Sequence, residues 1–487
     1  MISRLLLACL LLSEAGFSQE LTDAAAEKQQ GYQPLRAALH VHSQFSDGDY
    51  GITELASFAH RDRIDVLGIT DSFLTRVRYG IGPLRKLISR SRLRPGVLDQ
   101  GIENYLASAD EAHNQFKDVI ILPGLEAAPS YYWLGTPGTD LRLYDFDHHI
   151  LIFGLSDPRA IANLPVIENA TWSNTNRDWT LLFGTLLTLS AGLAAAVRAR
   201  RVLRVVGVLV AAAALLWTCD AWPFGSVSDP YSGKQDRRAI QHLIDYVTDH
   251  DGMAFWSYPE ARYPDIKEGG ATMVSRPQPE ILRLTENYRG FEGIYGENVK
   301  ITGPGNLWDQ ILVDYIHRGR KTWPSAITGI DFHSFQGKGG WHEFNRGLTL
   351  LWAKNKDVSS VLDALRQGRG YAAFHQDAEH QLDLEDFAIR SKTGVAISGE
   401  TVTTDGEIAF SAHIRWRGAS RPLPDAPVQI DVVRDGELLE HRDALLPADI
   451  MRAETLEKGR HYYRLRVKSG SSEILSNPVF CEVQRGS

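Results

Sequence analysis

Seven short runs of apolar, often β-branched residues punctuate the first three quarters of the chain: Leu35 to His42, Asp65 to Thr70, Val119 to Leu122, His149 to Phe153, Met253 to Trp256, Phe291 to Tyr295 and Ala326 to Ile330. Their length and composition predict strands. Between several of them the apolar positions recur every three or four residues, as in Thr53 to Arg63, which predicts helices with one buried face. Strand and helix in alternation predict an α/β fold with a parallel barrel. After about Ala378 the texture changes. Segments such as EIAFSAHIRW, VQIDVVRDGELL and HYYRLRVKSG alternate apolar and polar residues between Gly, Pro, Asp and Ser turns, predicting a C-terminal antiparallel β-sandwich.

Two apolar stretches break this rhythm. The first, MISRLLLACLLLSEAGFSQE, has one Arg, an apolar run from Leu5 to Leu12 and small residues before Gln19, the layout of a cleavable export signal. Cys9 offers a lipoprotein anchor as the alternative, but only Leu5 to Ala8 would precede it as an apolar region. The second stretch runs from Trp179 to Val197, then through Arg198, Arg200, Arg201 and Arg204, then along another apolar run to about Cys219. It predicts a transmembrane helical hairpin with a cytoplasmic basic turn and interfacial Trp172, Trp179, Trp217 and Trp222; a buried helical pair in a soluble domain is the alternative.

The expected organisation is therefore a signal peptide over 1–18, the barrel over 34–178 and 223–378, the hairpin over 179–219 and the sandwich over 379–487. Two spans and an exported N-terminus would leave barrel and sandwich together on the periplasmic side of a bacterial cytoplasmic membrane. A net charge of -8 over 487 residues gives no reason to expect a nucleic-acid partner. Cys219 and Cys481 are too few and too far apart to form a disulfide framework.

Candidate chemistry begins in AALHVHSQFSDGDY. Residues two apart on a strand share a face, so His40 and His42 can point at one place, and Ser46-Asp47-Gly48 follows as an acidic turn. Further along, VLGITDSF supplies Asp71 and Ser72, ILPGLEAA supplies Glu126, DHHILIFG supplies His149, and ITGIDFHSF supplies Asp331 and His333, each at or beside a predicted strand end. Imidazole and carboxylate donors converging from several elements suit a hard or borderline divalent cation.

The order HxHxxxxDG, ITD, PGxE, HILIFG, GIDFH resembles the PHP family, the polymerase and histidinol phosphatase superfamily of metal-dependent phosphoesterases built on a distorted (β/α)7 barrel. The later stretches NLWDQIL, RGRKTW and LDALRQGRGYAAF resemble more narrowly its carbaryl-hydrolase-type branch. The resemblance spans Pro34 to about Val483 apart from the hairpin. It implies that His40, His42, Glu126 and Asp331 hold one ion, and that Asp47, His333 and His149 serve a neighbouring site. The implied cofactor is one or two ions of Zn, Mn or Fe, supplying hydroxide that attacks a phosphoester or an amide- or carbamate-type bond of a small-molecule substrate. Asp47 and His333 are candidate proton carriers, and Tyr258 a candidate hydrogen-bond donor to an oxyanion. Two positions depart from the family pattern: Ser72 and Tyr258 stand where histidines are usual. Both losses fall on the additional metals. They keep a second class open, a degenerate module that binds a ligand or partner at the envelope without turnover.

Overall fold

The structure, a computed structural model, describes residues 31–81, 85, 88–169, 179–198, 200–221, 228–296, 299–336, 343–376, 380–417 and 426–484. The expected signal peptide over 1–18 lies outside them, as do Trp172 and Trp222 and the side chains of Trp179 and Trp217. Each of the seven apolar runs overlaps a strand. They are β1 (Gln33–Val41), β2 (Val66–Ile69), β3 (Ile120–Ala127), β4 (Ile150–Phe153), β5 (Met253–Trp256), β6 (Gly290–Ile294) and β7 (Ser325–Thr328), followed by β8 (Gly347–Ala353) and β9 (Gly370–Phe374).

These strands lie side by side in the order β7-β6-β5-β4-β3-β2-β1-β8-β9 within one curled, 15-stranded sheet. Pairing is parallel from β1 to β3 and from β5 to β7, while β4 runs antiparallel to both neighbours. The curl brings the segment after β7 against the end of β1. Val41 bridges Phe332 in parallel, with His42 N–H donating to Phe332 O and Phe332 N–H to His40 O.

Alternation divides the side chains between two layers. Ala37, Leu39, Val66, Ile120, Leu122, Leu151, Phe153, Met253, Phe255 and Ile327 form one buried cluster inside the curl, closed by Val361, Ala364 and Leu365 of the helix Val358–Gln367. The opposite faces of the same strands pack outward against helices, among them Ile52–Arg61, which buries Ile52, Leu55, Ala56 and Ala59 at helical spacing. Burial on both faces explains why these strands read as continuous apolar runs.

The expected architecture, a distorted (β/α)7 barrel interrupted by a transmembrane hairpin and followed by a C-terminal antiparallel β-sandwich, is corrected. The fold is mixed α/β, with the large curled sheet and three smaller sheets. Part of its C-terminal region continues the large sheet. Strand β9 pairs antiparallel with Ser472–Ser476, which leads through Gly459–Ser469 and Pro427–Arg434 to Glu437–Leu445, so both halves share one ladder. A second C-terminal set, Gly394–Ile397, Gln381–Ser391, Glu407–Arg417 and Ala448–Thr455, forms its own four-stranded sheet.

Two helices, Trp179–Arg198 and Arg201–Ala221, do occupy the hairpin region. Among the described residues, however, no helix is long and apolar enough to cross a membrane.

Candidate metal centre

The apolar interior gives way to acids and imidazoles at one rim of the curl. In β3, the inward parity of Ile120 and Leu122 continues to Glu126, and in β4 that of Leu151 and Phe153 extends back to His149. Because β4 runs antiparallel, its first end lies at the rim where its neighbours finish. After β7, the parity of Ile327 leads to Gly329 and Asp331.

Strand β1 is the exception. Ala37 and Leu39 face inward, so unbroken alternation would turn His40 and His42 outward. Instead the β1–β2 register shifts between Ala38 and Val41, and His40 adopts φ 66°. This bulge rotates both histidines into the curl. Asp331 (φ 43°) and Tyr258 (φ 44°) also sit in the left-handed region. Three strained, non-glycine residues around one point mark a constellation that the surrounding packing enforces.

Four side chains converge there. His40 Nε2 lies 3.2 Å from Glu126 Oε1 and 3.3 Å from Asp331 Oδ1, and His42 Nε2 lies 3.3 Å from Asp331 Oδ1 and 3.7 Å from Glu126 Oε2. Both Nε2 atoms are buried and make no hydrogen bond. The donor atoms of His40, His42 and Glu126 all lie close enough to share one ion. Two orphaned imidazole nitrogens aimed at two carboxylates fit a divalent transition metal.

The far side of each ring is also engaged. His40 Nδ1 meets Glu292 Oε1 at 2.7 Å, and the other Glu292 oxygen accepts from Tyr258 N–H at 3.2 Å. Gly329 makes room for this carboxylate, since a Cβ there would lie 2.2 Å from it. His42 Nδ1 meets Ser46 Oγ at 3.1 Å, and Ser46 donates to Asp71 at 2.5 Å. Asp71, fully buried, also accepts from Ser43 N–H and Ser43 Oγ. Such partners fix a ligand's orientation and tautomer.

A second cluster adjoins the first. His333 Nε2 and His42 Nδ1 each lie 3.2 Å from Asp47 Oδ1, and the His42 and His333 rings stack at 4.2 Å. His42, Asp47 and His333 form another group able to hold an ion, while His149 Nδ1 meets Glu126 Oε1 at 2.8 Å on the other flank. The turn carrying Asp47 is tight. Gly48 N–H donates to Ser43 O, and a Cβ on Gly48 would lie 2.2 Å from His42 O.

All seven expected ligand positions thus meet at one rim, as does Tyr258, whose buried hydroxyl has no hydrogen-bond partner and whose ring stacks on His40 at 5.3 Å. Ser72, where a histidine would be usual, donates to Glu126 Oε2 at 3.4 Å. Glu292 escaped the sequence reading, although an acid inside a strand buried on both faces was a legible signal. Asp71 was singled out but not given its supporting role. Tyr263 and Asp147, which line the pocket over the site, carried no motif.

Without metal, the charges balance through protons. Burial alone would lower the His40 pKa, but Glu292, Asp331 and Glu126 push it up to about 10. Burial raises the Glu126 and Asp331 carboxyls, yet the surrounding histidines hold both below their usual range. The His40 contribution to metal-free stability is therefore complete below about pH 6.5 and lost as pH rises through about 10. That of Glu126 and Asp331 is present above their ordinary range near pH 4 and lost as pH falls through their depressed values. Metal must displace the His40 proton, so the rise in melting temperature on adding zinc should be larger at pH 8 than at pH 6. Equal increments at both pH values would contradict proton-coupled uptake.

The link from Glu292 to His40 gives another expectation. Glu292→Gln should weaken metal binding by about 10–100-fold while leaving the four ligands in place. Titration against a competing chelator measures it.

No family model matches the chain, and no curated protein matches it. Among solved structures, the fold is similar to a two-domain protein from Bacteroides vulgatus ATCC 8482 containing a predicted PHP-like metal-dependent phosphoesterase, at 13% identity and TM-score 0.35, covering 89% of this chain and 91% of that one. It is also similar to a protein from Bifidobacterium adolescentis ATCC 15703 given the provisional name metal-dependent phosphoesterase, at 14% identity and TM-score 0.31, covering 68% and 95%.

Proposed function

We propose that this chain is a metal-dependent hydrolase of the PHP type acting on a small-molecule phosphoester. The observation that carries the reading is the pair of buried, unbonded Nε2 atoms of His40 and His42 facing Glu126 and Asp331. A stabilising role alone gives no reason to aim two buried imidazole nitrogens, neither of them hydrogen-bonded, at one point between two carboxylates. A divalent ion held by these four residues supplies Lewis-acid polarisation of the scissile group and an acidified water.

The chain's own residues have separable tasks. Asp47, half-exposed at 49%, and His333 line the site together, where His333 Nε2 can pass a proton to the Asp47 carboxylate that it meets at 3.2 Å. The Tyr258 hydroxyl keeps its proton because burial raises its pKa well above the usual phenol value, and having no partner it is free to donate to an oxygen of the reacting group. Glu292 and Asp71, through Ser46, hold the two histidines in orientation. The apolar run before Gln19 supports export from the cytoplasm, which an N-terminal reporter fusion tests.

The test is hydrolysis of 4-nitrophenyl phosphate against an aryl N-methylcarbamate, with zinc, manganese or iron and with chelator. Chelator-sensitive release from the phosphate is expected. Turnover of the carbamate alone reassigns the bond to the amide and carbamate class. No turnover of either substrate with any metal sinks the hydrolase and leaves the ligand-binding module, the reading that Ser72 and Tyr258 favour.

A further inference from the structure

The pocket over the metal ligands is small, about 170 Å³, but it is not isolated. A cavity of about 540 Å³ lies against it, and Thr75, Arg94 and Phe146 line both. The larger space falls in the size range of organic-ligand sites. Two accessory sheets wall it: the hairpin Thr75–Gly80 with Ser89–Arg94, and a four-stranded sheet that includes Arg142–Tyr144 and Ala271–Val274.

The two sides of this cavity differ in chemistry. Its floor is apolar and aromatic, formed by Tyr79, Trp133, Leu143, Phe146 and Met273. Trp133 donates its indole N–H to Arg78 O, so only its carbon faces are offered to an occupant. Its rim is cationic. Ser89–Arg94 is exposed along its whole length, and alternation places Arg90, Arg92 and Arg94 on one face. Arg92 pairs closely with Glu268 across the cavity, whereas Arg94 Nη2 is 3.5 Å from the same carboxylate. The guanidinium nearest the metal ligands is thus the more loosely held of the two.

An apolar chamber joined through one arginine to a metal-ligand cluster suits a molecule with an apolar end and an anionic end. We propose, building on the hydrolase reading above, that this chamber holds the leaving group of the substrate. The substrate is then a phosphoester of a bulky, apolar, aryl-type alcohol. Its phosphoryl group sits over His40, His42, Glu126 and Asp331, with Arg94 paired to a phosphoryl oxygen. In the reaction the P–O bond to the aryl oxygen breaks, a P–O bond to the oxygen of water forms, and a proton from that water ends on the departing alcohol.

Phosphonates test the assignment without turnover, because their P–C bond is not hydrolysed. Dissociation constants of methyl-, phenyl- and biphenyl-4-ylphosphonate are measured by calorimetry on the zinc-loaded full chain. Affinity should rise at least about 30-fold from methyl to biphenyl, as buried apolar area predicts. Ala271→Trp, or Leu141→Trp should the first fail to fold, fills the chamber and should flatten the series. Arg94→Gln should weaken all three ligands about equally, by about tenfold. A biphenyl ligand that binds no tighter than methylphosphonate, or a gradient that survives both tryptophans, overturns the proposal. If the gradient is present but no phosphoester is turned over with any metal, the chamber stands as a binding site and the hydrolase reading falls.

Discussion

Replacing His40 and His42 together by alanine should strip the protein of its metal and of at least about a thousandfold of its hydrolytic rate. The two rings supply the neutral donors of the cluster, and Glu126 and Asp331, left alone, would repel each other. Elemental analysis should find about one or two equivalents of transition metal in the wild-type chain after loading, and less than about a tenth in the double variant. The substitution also leaves Glu292 buried without its imidazole partner, so folding is checked by circular dichroism before metal content is read. Asp47→Asn is the contrasting case. It touches the exposed second cluster, and the ion between His40, His42, Glu126 and Asp331 should be retained. Wild-type protein that takes up no zinc, manganese or iron would falsify the metal centre itself.

Asp309→Ala should destabilise the fold by about 3–5 kcal/mol, the usual cost of leaving a buried charge without its partner. Arg464, 0% exposed, forms two 2.6 Å bonds to Asp309 and lies over the Trp308 ring at 4.8 Å. Asp309 also accepts from Tyr462 Oη and Gly305 N–H. The pair joins the C-terminal strand Gly459–Ser469 to the helix Leu307–His317, which precedes β7 and Asp331. Urea unfolding measures the loss. Converting both partners to apolar residues, Asp309→Leu with Arg464→Met, should cost much less than the single change, because no unpaired charge remains. A single variant as stable as the wild type would show that the two halves do not depend on this contact.

Much of the candidate site was legible because strand parity is a local property. The pair His40 and His42, the acid of PGLEAA and the histidine opening HILIF follow from counting by two along buried runs. Other features depended on partners distant in sequence. The inward turn of His40 requires a bulge set by pairing with β2, and Glu292 acquires its role only when β6 crosses the curl from β1. Ser72 shows the same limit: its bond to Glu126 is invisible until Ser72 and Glu126 are paired. The chamber beside the metal ligands draws on residues from Thr75 to Met273, none of which forms a motif.

The hairpin illustrates the other direction of error. Apolar composition alone reads Trp179 to Cys219 as two spans, but among the described residues no helix is both long and apolar enough to cross a bilayer. Alternation reads the C-terminal third as antiparallel strands, but does not reveal that one set of them continues the large sheet, because the pairing of β9 with Ser472–Ser476 is a long-range contact. By itself, the sequence determined which residues could form strands, which faces those strands would bury, and which imidazoles and carboxylates would stand at their ends, because each depends on neighbours within a few residues. Only the tertiary structure decided which strand ends meet, which acid supports which histidine, and what space opens beside them, because those contacts are chosen by long-range pairing and packing, for which a local pattern carries no energy term.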